Sequence, residues 1–114
     1  MRNALAALII GITTLPACAG DNHLLKERTA YWREALSRGV PAGSSKQQAM
    51  EWAASRNVKF EYLEQQHWLY ANVERVPESG IPFPCSQWNI ILTVTIDNTG
   101  HSVQNEVSTV GTCL

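Results

Sequence analysis

The sequence predicts an α+β domain in which two N-terminal helices pack on one face of a four-stranded antiparallel sheet. Three observations carry that expectation. Apolar residues recur at three- and four-residue steps as far as residue 57; from Val58 onward they alternate with polar residues; and turn-forming clusters separate successive alternating runs. Helical segments followed by consecutive alternating strands give helices segregated to one face of an antiparallel sheet.

The first helix is expected from Asn22 to about Arg38. Asp21 and Asn22 are good N-cap residues, and Leu24, Leu25, Tyr31, Trp32, Ala35 and Leu36 form its apolar stripe. Gly39 reads as the residue just past its C-terminus, with Pro41 beyond. Ser44 and Ser45, each followed three residues later by a glutamine, offer two capping boxes for a second helix. Ala49, Met50, Trp52, Ala53 and Ala54 continue it to about Asn57. The short link predicts an antiparallel or crossed pair of helices.

Val58, Phe60 and Tyr62 alternate with Lys59 and Glu61, and in the next run Leu69, Ala71 and Val73 share one face, leaving Trp68 and Tyr70 on the other. The clearest strand sets Trp88, Ile90, Leu92, Val94 and Ile96 toward the core, with Asn89, Thr93, Thr95 and Asp97 opposite. Asp97 to Gly100 reads as a hairpin turn, and the run from His101 returns as the last strand. A hairpin centred on Thr99 sets Cys85 opposite Cys113, which predicts a disulfide in an oxidising compartment; two reduced, buried cysteines are the alternative. The apolar pattern asks for a pairing one residue away, with Val94 beside Val103 and Ile90 beside Val107, so a bulge is expected. Val76 to Cys85, with three prolines and a glycine, reads as an exposed connection.

Residues 1–17 have the order of a secretory signal: Arg2, then an apolar run from Ala4 to Ile12, then small residues. The run falls well short of the roughly 20 apolar residues a membrane span needs. Ala17-Cys18-Ala19 fits ordinary cleavage, and Leu15-Pro16-Ala17-Cys18 resembles the lipobox of bacterial lipoproteins, with Pro16 as a departure. That resemblance implies that Cys18 carries diacylglycerol and a further acyl chain such as palmitate. Ala19, where an Asp would retain the protein at the inner membrane, implies an outer-membrane anchor facing the periplasm. Simple secretion gives a soluble periplasmic or secreted protein instead. Either way residues 18–114 are expected to form one small domain.

Removing Arg2 leaves eight Lys or Arg against ten Asp or Glu, and no basic cluster, which argues against a nucleic-acid partner. His23, His67 and His101 are widely separated and follow no metal-ligand spacing. Nucleophile elbows and glycine-rich phosphate loops are absent from the sequence. The chain is therefore read as non-catalytic, with no cofactor.

The order of a lipid-anchored cysteine, two short helices and an antiparallel sheet, with a helix entry at Gly43-Ser44-Ser45 followed by Gln47 and Gln48, resembles small outer-membrane lipoproteins of the SmpA/BamE type and the β-lactamase-inhibitor-like domains. The likeness spans about residues 39–109; it lacks the hydrophobe those families carry in the helix entry, and the first helix and the cysteine pair depart from their pattern. It implies the fold and a protein-binding habit. Of the four tryptophans, Trp32 and Trp88 are expected in the core. Trp68 and Tyr70, with Ile81 and Phe83 of the proline-rich connection as a rim, are the expected contacts for a protein partner. An inhibitor or immunity-type lipoprotein is the leading expectation, and a structural lipoprotein supporting an outer-membrane assembly is the alternative.

Overall fold

The computed structural model describes residues 22–79 and 85–113. Cys18 and the whole signal segment, and Ile81 and Phe83, lie outside the described residues. The element order is α1 (His23–Gly39), α2 (Lys46–Ser55), β1 (Glu61–Leu63), β2 (Trp68–Pro77), β3 (Cys85–Ile96) and β4 (Ser102–Cys113). All four strands form one antiparallel sheet in sequential order, with the helices against one face. This is the α+β arrangement the sequence predicts. Among the described residues, no helix is long and apolar enough to cross a membrane.

Asn22 caps α1, its side chain accepting from the Leu25 N–H at 3.0 Å. The helix runs one residue further than expected, through Gly39, and its end is made by Val40, whose N–H donates to the Leu36 carbonyl. Gly39 serves close approach instead of a left-handed turn: a Cβ there would collide with the Trp52 indole of α2. In α2, Ser45 and Gln48 form the reciprocal capping box, of the two the sequence offers. The C-terminus closes at Asn57, which takes φ 59°. The Val58 N–H reaches the Ala53 carbonyl at 2.8 Å and the Asn57 N–H reaches Ala54 at 3.1 Å, the bond pair of a Schellman motif. Ala53 and Val58 are both buried, so the motif delivers the chain from α2 into the core.

The core lies between helices and sheet: Trp32, Leu36 and Val40 of the first helical layer, Ala49 and Ala53 of α2, and Phe60, Leu69, Ala71, Val76, Ile90, Leu92, Val94 and Ile96. Regular pairing of β1 covers only Glu61–Leu63, although Val58 and Phe60 alternate inward ahead of it as expected. The Asp97–Gly100 turn has Gly100 at φ 83°, and the Asp97 carboxylate accepts from the Thr99 N–H, the Thr99 hydroxyl and the His101 N–H.

Cys85 and Cys113 are bonded and paired in register, as the hairpin argument requires. Between them the register differs from both expected pairings. Leu92 opposes Val107 and Val94 opposes Asn105, with irregularities at both ends of the ribbon, and Val103 is left 53% exposed. The reason lies outside the hairpin. Asn105 faces the helices because its amide donates to the Val40 carbonyl at 2.8 Å, and Ser102 is buried because its hydroxyl donates to the Pro41 carbonyl. Asn105 thus takes the place beside Val94 that apolar matching would give to Val103, and Ser102 takes the place beside Ile96. Backbone bonds from Gly43 to the Ser102 carbonyl and from Ser102 to the Ser44 carbonyl clip the helix–helix link to the start of β4.

Candidate functional site

Strand pairing sets the rows of the face turned away from the helices. Leu63, Trp68, Thr95 and Gln104 form one row; Glu61, Tyr70, Thr93 and Glu106 the next; then Asn72, Ile91 and Ser108; then Arg75, Asn89 and Val110. Trp68 is held there by its neighbours. His67, at φ 60°, closes the β1–β2 turn and passes its carbonyl to the Ile96 N–H, and the fully buried Leu69 fixes the pleat, so Trp68 must point outward. Trp68 is 37% exposed, and Tyr70, two residues on, is half-buried beside it. Threonines, serine and glutamine dominate the part of the face carried by β3 and β4, with Ile91 and Thr93 buried at its centre. An amphipathic aromatic pair at one side of a polar, hydroxyl-rich sheet suits contact with a protein surface.

Val73 packs against the core with Leu69 and Ala71, as expected, and a bulge between Asn72 and Glu74 interrupts the alternation there. Val73 is half-buried, while Glu74 takes the helix-facing position opposite Ile90. Its carboxylate accepts from Trp32 Nε1 at 2.8 Å and from Arg28 Nε at 2.9 Å, with the Arg28 guanidinium 4.4 Å above the Tyr31 ring. This cluster fixes α1 on the sheet. The sequence reading missed Glu74 and Arg28; the available signal was a cation four residues before a tryptophan on α1 and a lone acid inside an alternating strand.

Trp32 is buried, as expected. Trp88, expected in the core, faces the helix side but is half-buried at the cysteine end of the sheet, with Nε1 donating to the Glu78 carboxylate at 2.8 Å. Its ring lies against Gly111, where a Cβ would meet Trp88 and both cysteine sulfurs at 3.0–3.1 Å.

The three histidines stand apart. His23 opens α1; His67 meets the Tyr62 hydroxyl at 3.3 Å; and His101 meets the Thr99 hydroxyl at 2.9 Å. Among the described residues, no three His, Cys, Asp or Glu side chains converge to hold a metal ion. Asp97 is held below the ordinary carboxylate pKa, first by the Thr99 hydroxyl and then by the His101 N–H, which makes it a turn-former. No family model, curated protein or solved structure matches the chain.

Proposed function

We propose that the protein is a small non-catalytic envelope lipoprotein, anchored through Cys18 to the outer membrane and facing the periplasm, which binds and blocks a partner protein through the open face of its sheet. The supporting observation is Trp68, a tryptophan 37% exposed beside Tyr70 on the face the helices leave uncovered. Large aromatics in such positions are characteristic anchors of protein interfaces. A rigid, disulfide-closed sheet also suits tight binding, because little conformational freedom remains to be lost on association. The Leu15–Cys18 lipobox supports the anchor.

The test compares Trp68→Ala with Trp32→Ala. Loss of Trp68 is expected to change unfolding free energy by less than about 1 kcal/mol, whereas loss of buried Trp32 costs about 3–5 kcal/mol. Affinity for a soluble periplasmic protein recovered on the wild-type bait should fall by about 2 kcal/mol or more in Trp68→Ala. Unchanged affinity refutes the site. Recovery of integral outer-membrane proteins in place of a soluble one points to an assembly role.

A further inference from the structure

The two edges of the sheet differ sharply. β1 is three residues long, too short to template another chain. β4 runs for twelve residues, and among the described residues no strand pairs with its outer side. Proteins protect long edges with lysines, prolines, inward charges or covering segments. Between Gln104 and Thr112, β4 carries no proline or lysine, a single charge at Glu106, and its register with β3 is unbroken. Such an edge offers alternating free N–H and C=O groups to an incoming strand.

Beside the edge there is also space. Two clefts of about 430 and 340 Å³ lie between α1 and β4; the first reaches Asn105–Val107 and the second reaches Thr109. Arg33 of α1 lines both. Arg33 is exposed and makes no ion pair or hydrogen bond among the described residues, unlike Arg28 and Arg38 of the same helix, which pair with Glu74 and Glu34.

We infer that the β4 edge is a second docking site, which takes an extended segment of another protein as a fifth strand and meets an acidic side chain of that segment with Arg33. Main-chain hydrogen bonds to β4 supply affinity, and Arg33 selects the charge on the helix side. Charge argues against a second copy as the occupant. A two-fold axis near Val107, the middle of the strand, would bring the two Arg33 guanidiniums toward each other, with no acid on the helix-facing residues Asn105, Val107 and Thr109 to separate them. The site is separate from the Trp68 face and stands or falls without it.

The experiment titrates the full-length protein with a blocked nonapeptide, Thr-Val-Thr-Val-Glu-Val-Thr-Val-Thr, and with the same peptide carrying a central Lys, while amide exchange is followed by NMR. The expected result is new protection of alternate β4 amides between Gln104 and Thr112. Affinity should be weaker by at least about tenfold for the Lys peptide, and the preference should reverse in Arg33→Glu, an exposed substitution that spares the fold. Trp68→Ala should leave both effects intact. Protection confined to residues around Trp68, absence of protection in β4, or equal binding of the two peptides each overturns the inference. Protection that grows with protein concentration in the absence of peptide overturns it in favour of self-association.

Discussion

Glu74 is the acid on which the attachment of α1 to the sheet turns, and Glu74→Ala tests that role. In the native protein its carboxylate serves two donors, the buried indole N–H of Trp32 and the partly exposed guanidinium of Arg28. Truncation leaves the Trp32 N–H without an acceptor in a side chain only 7% exposed, a loss of about 1–3 kcal/mol. The ion pair adds less: with side chains 34% and 28% exposed, it is screened and worth at most about 1 kcal/mol. The sum is about 1–4 kcal/mol, read as a shift in the urea midpoint at unchanged slope. A double-mutant cycle with Trp32→Phe isolates the indole bond, since phenylalanine has no N–H to strand. Coupling of about 1–2 kcal/mol is expected between the two sites. Glu74→Gln keeps an acceptor and should cost less than Glu74→Ala. If Glu74→Ala costs under about 0.5 kcal/mol, or the cycle shows additivity, the cluster does not hold the helix.

Four further outcomes are expected. Gly39→Ala drives a methyl group into the Trp52 indole and should cost about 1–3 kcal/mol by denaturant melt, with recovery when Trp52→Leu is added. Peptide mapping without reductant should recover the Cys85–Cys113 pair; replacing both by serine should cost about 3–4 kcal/mol on the chain-entropy model for a separation of 28 residues. Asp97, whose pKa is lowered in the folded state, contributes stability that is present above the unfolded carboxylate pKa and lost as pH falls through the folded value. NMR titration should therefore place its midpoint below the ordinary aspartate value, and Thr99→Val should raise it. Intact mass of membrane-extracted protein should begin at Cys18 with acyl chains attached, and a non-acylated species starting at Gly20 contradicts the anchor.

The helices were legible because their signals are local: Asn22 and Ser45 with Gln48 are caps that act within three residues. Strand alternation was equally plain in β3, where five consecutive inward positions are apolar. The register of β4 was not legible, because Asn105 is drawn beside Val94 and Ser102 beside Ile96 by carbonyls of Val40 and Pro41 more than 60 residues away. Local periodicity holds no record of such partners. Glu74 was not legible for a similar reason: the bulge after Asn72 presents it to Trp32 and Arg28, while Val73 keeps its contact with the core. Gly39 resembled a helix terminator, and only the packing of Trp52 reveals why no larger residue fits there. Of the candidate site, the outward direction of Trp68 and Tyr70 followed from the pleat alone, whereas the β4 edge depended on strand order across the whole sheet.

The β3–β4 ribbon is closed at one end by the Asp97–Gly100 turn and at the other by the Cys85–Cys113 bond. That closure has a kinetic consequence. In the oxidised unfolded chain, the two longest strands already form a ring, so their pairing requires no long-range encounter and the effective contact order of the sheet falls. What remains to be found is the docking of β2 and the helices onto a prepared ribbon. The oxidised protein should therefore refold faster than its reduced counterpart, with most of the difference in the folding rate rather than the unfolding rate.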